Sequence, residues 1–227
     1  MKCSIIIPTF NAEKYIEASI HSLRVLNTDC EIIVSDGGST DRTLTFLASK
    51  KTHVVSSGRG RGVQLNEGAR HAKGDILFFL HADSLITQEV FPAIERLFKD
   101  KNVQVAKCIL SFDQKHWLLR CYAQLAKIDS IWTSFGDQGI IVRRAFFNEI
   151  GGFPNWPLLE DVNFFQKARS RTRIRTLPSK LITSAERFVR NGIVRQQLFN
   201  ARIVLKYLLG TPPVELSSEY ENFRGRK

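Results

Sequence analysis

The sequence is poor in the features that mark several classes of protein. Its 227 residues include four cysteines and one methionine, and no two cysteines form a Cys-x-x-Cys pair. A disulfide scaffold would be shorter and denser in cysteine. We therefore expect reduced, buried thiols in a cytosolic protein at Cys3, Cys30, Cys108 and Cys121.

Long apolar runs are also missing. The longest is Ile76–Leu80, far short of the roughly 20 residues that span a bilayer. Cys3–Phe10 is too short, and its surroundings too polar, for the apolar part of a signal peptide. With 43% hydrophobic and 24% charged residues, the composition is that of an ordinary globular protein, which excludes disordered, collagenous and low-complexity classes.

Two glycine signatures of nucleotide-binding proteins are absent. The first predicted strand ends in Pro8-Thr9-Phe10-Asn11, so the Gly-x-Gly-x-x-Gly turn of dinucleotide-binding folds is missing, as is the Walker pattern. Gly58-Arg59-Gly60-Arg61-Gly62 is rich in glycine but follows the third predicted strand. Its bare backbone and two arginines suit an approach to phosphates, although glycine in a loop is weak evidence by itself.

Positive charge is present in excess and is concentrated in one segment. The formal net charge is +11. Residues 1–161 contribute only +1, and residues 215–227 hold three charges of each sign. Residues 162–214 hold 11 basic side chains against a single acid, Glu186. Such a block indicates an anionic partner: nucleic acid, a lipid surface or a phosphorylated substrate.

Short apolar runs alternate with helical patterns along the first half of the chain. The predicted buried strands are Ser4–Pro8, Glu31–Ser35, His53–Ser56 and Asp75–Leu80. The predicted helices are Tyr15–Leu26, Thr43–Lys50 and Val63–His71. This alternation predicts right-handed βαβ units, and therefore a mostly parallel sheet covered by helices on both faces.

The second half is less regular. We predict strands over Gln104–Phe112 and Gly139–Val142. Predicted helices cover Lys115–Ile128, Arg144–Ile150, Glu160–Arg169 and a long, basic, amphipathic segment, Arg190–Leu209, which ends at Gly210 and Pro212. No repeat or linker divides the chain, so we expect one α/β domain over residues 1–227.

Carboxylates follow two of the predicted strands, and ligands of open parallel sheets bind beyond the carboxyl ends of their strands. Asp36 ends the second strand, where it can accept hydrogen bonds from a base or a ribose, whereas Asp41 reads as a helix cap. Asp83 follows the fourth strand and is a natural oxygen ligand for Mg²⁺ or Mn²⁺. His81 points to the same side, either to assist Asp83 or to form a local hydrogen bond.

Three motifs resemble, in order and spacing, those of the family 2 glycosyltransferases with the GT-A fold: Ser4–Asn11, Ile33–Asp41 and Gly74–Asp83. Gly58–Ala69 looks like the sugar-nucleotide loop of that family, and Gly136–Gly139 and Leu159–Asp161 look like its acceptor-side elements. The resemblance covers roughly residues 3–190 and is nearest to a small, soluble bacterial branch with His-Ala-Asp at the strand end. It implies a nucleotide-sugar half (1–112), an acceptor half (113–189) and a basic C-terminal helix and tail (190–227).

The resemblance also implies roles for individual residues. Pro8, Thr9, Phe10 and Asp36 would hold the nucleoside, and Arg61 and Asn66 would lie near the base or phosphates of the donor. Asp83 matches the last acid of the family's Asp-x-Asp metal motif. The first position of that motif is His81 here, a departure from the usual ligand set, although an imidazole also ligates Mn²⁺.

Asp161, in the pair Glu160-Asp161, matches the family's usual catalytic base. The other interpretation of this pair is a helix start, where carboxylates favour the positive end of the dipole. Arg187-Phe188 resembles only the Arg-Trp end of the Gln-x-x-Arg-Trp motif of processive members, so a processive polymerase is a poor match. Arg187, Arg190 and Arg195 would close over the donor diphosphate.

We therefore predict a metal-assisted, inverting transfer of a sugar from a nucleotide-diphosphate sugar to an acceptor hydroxyl, with Mn²⁺ or Mg²⁺ as cofactor. The predicted location is the cytoplasm. For the basic segment three interpretations stay open: contact with the donor, peripheral contact with the inner face of an anionic membrane that carries a lipid-linked acceptor, or a solvated helix face.

Two other classes of function are alternatives. A non-enzymatic nucleic-acid-binding module would use residues 162–214 and would bind with a steep dependence on salt. It leaves Asp36, Asp83 and Asp161 unexplained, so nucleic acid is the less favoured partner. A nucleotidyltransferase could use a similar sheet and metal, but it would release pyrophosphate rather than a nucleoside diphosphate.

Overall fold

The computed structural model of the protein describes residues 2–26, 29–50 and 52–225. The outermost positions of the predicted domain, Met1 and residues 226–227, lie outside this part of the chain. The strands of the first half are β1 (Cys3–Thr9), β2 (Glu31–Asp36), β3 (His53–Ser56), β4 (Ile76–Phe79) and β5 (Ser84–Ile86). The helices between and after them are α1 (Glu13–Val25), α2 (Thr43–Ser49), α3 (Arg61–His71) and α4 (Val90–Phe98).

The second half adds further strands to the same sheet and more helices around it. Its strands are β6 (Val105–Phe112), β7 (Ile140–Arg143) and β8 (Arg175–Thr183). Its helices are α5 (Trp117–Leu125), α6 (Arg144–Glu149), α7 (Glu160–Arg169), α8 (Glu186–Asn191), α9 (Ile193–Leu208) and α10 (Pro213–Gly225), with a single 3₁₀ turn at Gly136–Gln138. None of the described helices is both long and apolar enough to cross a bilayer.

The strands form one sheet in the order β3-β2-β1-β4-β7-β6-β8-β5. The strands β3, β2, β1 and β4 run parallel to one another, as predicted, whereas β7 runs antiparallel to both of its neighbours, β4 and β6. The parallel register sets Thr9 of β1 beside Asp36 of β2. The carboxyl ends of the parallel strands therefore meet at one edge, where the site lies.

The sheet is buried on both faces, which explains why its strands are continuous apolar runs. Along β1, Ile5 and Ile7 pack into the cluster that α1 and α4 cover, while Ile6 packs into the cluster under α3 and α7. Each such side chain contributes about 1.5–3 kcal/mol when fully buried. The two clusters hold the strand ends in place.

The prediction of one continuous helix over Arg190–Leu209 is wrong, because the segment belongs to two helices. Gly192 has a φ of 81° and divides it into α8 and α9. Such a backbone conformation suits glycine, because other side chains rarely adopt it. α8 begins earlier than predicted, at Glu186, and α9 begins directly after Gly192.

Other differences concern segments with weak patterns. We did not predict β5, β8, α4 or α10. In β8, Leu177 pairs with Cys108 but Lys180 pairs with Ile109, so Pro178 lies in a bulge that needs no ladder hydrogen bond. The burial prediction is confirmed for Cys3 and Cys108 but wrong for Cys121, which is exposed on α5, and for Cys30, which is only half-buried.

Candidate active site

Asp36 joins the ends of β1 and β2. Its Oδ1 accepts a hydrogen bond from the Thr9 hydroxyl at 3.1 Å, and its Oδ2 accepts from the amides of Gly38 and Ser39 at 2.9 and 2.8 Å. The carboxylate is buried. The Asp36 carboxylate therefore orders the loop that follows β2 and ties this loop to the end of β1, where Pro8 directly precedes Thr9.

A flat surface lies beside this loop. The Phe10 side chain is exposed, and the Arg59 guanidinium lies 4.4 Å from the centroid of its ring. Both follow the carboxyl ends of strands, β1 and β3. An aromatic ring and a guanidinium plane are groups on which a nucleobase can stack.

Two helix N-termini meet at an ion pair. Arg61 is the first residue of α3, and its guanidinium binds the buried carboxylate of Glu160, the first residue of α7. Gly62 makes this approach possible, since a Cβ at that position would lie 2.2 Å from the carbonyl oxygen of Pro154. Burial raises the pKa of the Glu160 carboxyl, and Arg61 opposes that rise.

Gly136 lies between the segment that follows β4 and the start of α7, where there is little room for a side chain. A Cβ on Gly136 would lie 3.0 Å from the Nε2 atom of His81 and 3.1 Å from the Oδ2 atom of Asp161. Asp161 Oδ2 accepts a hydrogen bond of 2.6 Å from the Gly136 amide, and Oδ1 accepts one from the Val162 amide at 2.8 Å. Asp161 therefore holds the 3₁₀ turn against α7.

Asp137 is the site residue for which we predicted no role of its own. It follows Gly136 and lines the same cavity as Asp161, and its Oδ1 is buried without a hydrogen-bond partner. Burial, reinforced by the negative charge of Asp161, raises the pKa of the Asp137 carboxyl to about 7. In the sequence, Asp137 is marked only by its position inside the motif Gly136–Gly139. It does not follow a predicted strand, so the strand-end argument that indicated Asp36 and Asp83 does not reach it.

One cavity of about 110 Å³ collects the polar groups of the site. Arg61 comes from the start of α3 and His81 from the segment after β4, whereas Asp137 comes from the 3₁₀ turn, Asp161 from α7 and Arg187 from α8. Part of the remaining wall is apolar and comes from α9. The Arg187 guanidinium donates a hydrogen bond of 2.5 Å to the hydroxyl of Tyr220 on α10.

The charges of this region do not balance. Four carboxyl groups, those of Asp83, Asp137, Glu160 and Asp161, stand against the guanidinium groups of Arg61 and Arg187. Burial, together with the positive charges of Arg61 and Arg187, lowers the pKa of His81 well below its usual value, so its ring is neutral. Burial also raises the pKa of Asp83. An excess of carboxylate is a favourable environment for a divalent cation.

Asp83 and His81 offer two donor atoms of types that Mn²⁺ accepts, and the imidazole is in the neutral form that ligates metals. Within the described residues, no group of three or more histidine, cysteine or acidic side chains is arranged to hold a metal ion. A pair of protein ligands fits a cation that shares the phosphate oxygens of a substrate, as Mg²⁺ commonly does.

Two of the predicted residues make other contacts. The Asn66 amide binds the main chain of Phe153 through both of its polar atoms, at 2.8 and 3.0 Å, and so ties α3 to the segment before α7. Arg195 lies 5.3 Å from the centroid of the Phe223 ring on α10. The structure therefore brings together Arg61, Arg187, His81 and Asp161, but gives Asn66 and Arg195 structural partners.

Comparisons with known proteins identify a family and several relatives of this chain. The model of the family named glycosyl transferase family 2 matches residues 4–153. An uncharacterized glycosyltransferase of Bacillus subtilis, YfnE, is 33% identical over 141 residues, which are 56% of this chain and 36% of YfnE. The curated relatives are longer proteins, of which the chain spans between 17% and 37%.

Two solved structures show the same fold. The Staphylococcus aureus TarS 1-349 in complex with UDP-GlcNAc matches with a TM-score of 0.65 at 24% identity, over 81% of this chain and 58% of that one. The mannosyltransferase PcManGT of Pyrobaculum calidifontis, in complex with GDP-Man and Mn²⁺, matches with a TM-score of 0.66 at 18% identity, over 99% of this chain and 70% of that one.

The sheet order, the helices that cover the sheet and these neighbours together define the GT-A fold, as the strand-end motifs predict. The chain belongs to glycosyl transferase family 2.

Proposed function

We propose that this enzyme transfers a sugar from a nucleotide-diphosphate sugar to an acceptor hydroxyl with inversion at the anomeric carbon. The observation that carries the proposal is the cavity in which Arg61 and Arg187 face Asp137 and Asp161 beside the ends of the parallel strands. The sugar nucleotides in the TarS and PcManGT structures support the donor class. A nucleotidyltransferase is disfavoured by the family.

The nucleoside would lie against Pro8, Thr9, Phe10 and Asp36. The exposed Phe10 ring with Arg59 above it supports stacking of the base. The Asp36 carboxylate already accepts several hydrogen bonds, so its contribution would be to hold the loop in shape as well as to contact the ribose. In this proposal residues 1–112 bind the donor, residues 113–189 the acceptor, and residues 190–227 form a basic helical tail.

A leaving diphosphate carries charge that must be stabilised. Arg61 and Arg187 line the cavity, so their guanidinium groups would bind its oxygens. Asp83 and His81 would hold a divalent cation, which when bound neutralises the leaving group as a Lewis acid. The Mn²⁺ in the PcManGT structure supports this part of the proposal. Arg187 is half-buried, and the Tyr220 hydroxyl orients it.

Two carboxyls compete for the role of the base that takes the proton of the acceptor hydroxyl. Asp161 is the predicted base, but both of its oxygens accept hydrogen bonds from backbone amides. Asp137 has a buried oxygen without a partner and a pKa raised to about 7, which suits a base that works near neutral pH. We keep Asp161 as the first candidate and Asp137 as the second; Glu160 would position Arg61.

The acceptor class is proposed from charge. A lipid-linked acceptor at the inner face of an anionic membrane would explain the basic segment 162–214, and it would place this cytoplasmic enzyme in peripheral contact with lipid. A free, soluble acceptor is the alternative. Nucleic acid is not proposed, because the family opposes it and such a module leaves Asp36, Asp83 and Asp161 without a role.

The test is a donor screen with product identification. The purified chain is incubated with UDP-, GDP- and dTDP-sugars, with and without Mn²⁺, and the released nucleotide is identified. We expect one donor to yield a nucleoside diphosphate, slowly by hydrolysis and faster when an acceptor is added. Release of pyrophosphate, or failure of every donor to bind, would reject the proposal.

A further inference from the structure

Helix α9 has an exposed face that is apolar rather than polar. Val194, Leu198, Ala201, Leu205 and Leu208 recur at alternating spacings of four and three residues, so they form one stripe along the helix. All five are exposed, and Leu198 retains 68% of its accessible surface. The opposite side of α9, with Gln196, Ile203 and Val204, is buried. The stripe is therefore additional to the face that α9 needs for packing.

A second exposed apolar stripe runs along α5. Trp117, Cys121 and Leu125 are spaced by four residues, and Ile128 follows one turn later. Trp117 retains 67% of its accessible surface, and Leu125 and Ile128 are similarly exposed. Leu119, on the other side of α5, is buried. Large apolar side chains on one exposed helical face are unusual in a monomer and indicate a binding surface.

The two stripes lie on either side of the place where α5 meets α8 and α9. Tyr122 of α5 packs against Phe188 of α8, with ring centroids 6.1 Å apart, and its hydroxyl lies near the side chain of Gln197 of α9. On their helices, Tyr122 adjoins Cys121 and Leu125, and Gln197 adjoins Val194 and Leu198. The stripes therefore lie side by side. We call them together the α5–α9 apolar face.

Positive charge lies beside the α5 stripe. Lys127, Arg173 and Arg175 line a cleft that contains Ile128, and the one acid of that cleft, Asp129, is paired with Arg169. Arg120 and Arg190 are exposed on α5 and α8. Apart from Arg169, none of these cations has a carboxylate partner within 4.0 Å in the described part of the chain. Arg202, by contrast, is paired with Glu219 of α10 at 3.1 Å. The free cations are therefore available to an anionic partner.

We propose that the α5–α9 apolar face docks the enzyme on an anionic lipid bilayer, with α9 lying in the plane of the interface. Leucine and tryptophan side chains toward the acyl boundary, with lysine and arginine at the level of the headgroups, are what such a surface requires. A second copy of the chain fits less well, because pairing two of these faces would bring their cations together.

The docking would hold the acceptor side of the cavity near the membrane. α9 contributes Ile203 and Val204 to the cavity wall and the apolar stripe to the outer surface, so the cavity lies behind the docked face. This consequence rests on the proposed function, whereas the docking itself does not. The proposal thus assigns an anionic bilayer as the partner of the basic segment. In this binding the apolar side chains of the α5–α9 apolar face are as important as the positive charges.

The experiment is co-sedimentation of the full chain with vesicles of phosphatidylcholine alone or mixed with phosphatidylglycerol. We expect binding to the mixed vesicles, weakened at high salt, and at least ~10-fold weaker binding by the double variant L198D/L205D. The matched control is V25D/L44D, which places the same charges on exposed apolar positions of α1 and α2 and should bind like the wild type. A variant with W132F and W156F leaves Trp117 as a probe, whose emission should shift to the blue on the mixed vesicles.

Several results would overturn the proposal: no vesicle binding, equal binding by L198D/L205D and the wild type, or binding that ignores lipid charge. Light scattering that finds a dimer which L198D/L205D dissociates would assign the face to a second copy instead. Donor binding of L198D/L205D, measured without vesicles, separates the two proposals. Loss of vesicle binding with donor binding intact concerns the docking, whereas absence of donor binding in every variant concerns the proposed function.

Discussion

At the scale of single residues, the site depends on how neighbouring carboxyls divide their tasks. Asp161 uses one oxygen to hold the 3₁₀ turn and the other to bind the Val162 amide of its own helix, and Asp137, next to Gly136, keeps an oxygen without a partner. Glu160 is bound to Arg61. Neighbouring carboxyl groups therefore have three different roles: Asp161 holds the backbone, Asp137 is a candidate proton acceptor and Glu160 forms an ion pair. The role of each depends on which hydrogen-bond donors lie next to it.

The two candidate bases can be distinguished by exchange for their amides. Asp161→Asn should lower kcat by ~10²–10⁴-fold if Asp161 is the base, because asparagine cannot take the proton. Donor binding should stay nearly intact in this variant, since Asp161 faces the acceptor side in the proposal. Turnover retained by Asp161→Asn together with its loss in Asp137→Asn would assign the base to Asp137. The measurement is the pH profile of kcat and the Kd of the donor for each variant.

The raised pKa of Asp137 also predicts how stability depends on pH. Between the usual pKa of an aspartate, about 4, and the value of about 7 in the folded protein, the folded state binds more protons than the unfolded state. Stability should therefore fall as the pH rises through this window. Asp137→Asn removes the titrating group, so its gain in stability over the wild type should be larger at pH 8 than at pH 5 by ~3 kcal/mol. Urea unfolding at the two pH values measures this, and an equal gain at both would contradict it.

At the scale of secondary-structure elements, the site depends on the close approach of α3 and α7. The ion pair of Arg61 and Glu160 joins the two helix starts, and Gly62 leaves room for the Pro154 carbonyl. The glycines of the loop before α3 therefore serve packing at least as much as phosphate binding. The sequence pattern alone suggested only the second role.

Gly62→Ala tests this packing. Its Cβ would lie 2.2 Å from a backbone oxygen, so one of the helix starts must move. We expect a loss of ~3 kcal/mol in the free energy of unfolding and weaker donor binding. Gly58→Ala is the matched control, because its Cβ would meet only Val63 at 3.5 Å. Thermal unfolding of both variants measures the difference, and equal stabilities would contradict the role of Gly62.

Helix α8 allows a matched comparison of two arginines. Arg187 lines the cavity, whereas Arg190 is exposed. Arg187→Ala should lower kcat/KM for the donor by ~10–100-fold, the usual range for a lost charge-assisted hydrogen bond. Arg190→Ala should change it by no more than about twofold in solution, as surface substitutions do. Similar losses in both variants would mean that general positive charge, rather than Arg187 itself, supports the donor.

At the scale of the whole molecule, the halves of the sheet are joined across β4 and β7. The parallel half contributes Arg61 and His81 to the cavity, and the other half contributes Asp137 and Asp161. Because the cavity is built from both halves, a ligand that fills it should stabilise the folded domain as one unit.

We therefore expect the donor and Mn²⁺ to stabilise the protein together. At a donor concentration of about 100 times Kd the gain is ~2.7 kcal/mol, which for a chain of this size raises the Tm by ~5–10 °C. Asp83→Asn should keep the stabilisation by nucleotide alone but lose the increment from Mn²⁺. An increment that survives both Asp83→Asn and His81→Ala would locate the metal elsewhere. Thermal shift with and without EDTA makes the measurement.

The sequence by itself determined the parallel half of the fold. Continuous apolar runs at a regular spacing have few stable arrangements other than buried parallel strands joined by helices, and the polar residues after them must then share one edge. For this reason Asp36 and Asp83 could be predicted near a site from the strand ends, whereas Thr9 was predicted from the family resemblance and Arg61 from the resemblance and its glycine-rich loop. The family could be recognised from the same strand ends.

The tertiary structure alone decided the rest. The proximity of Asp137 to Asp161, the use of Asn66 as a tie to Phe153 and the break at Gly192 depend on contacts between segments far apart in sequence, which local patterns do not record. The positive charge of 162–214 was visible from the start. The exposed apolar stripes beside it became visible only once packing showed which face of each helix is buried, because an amphipathic pattern does not say which neighbour covers it.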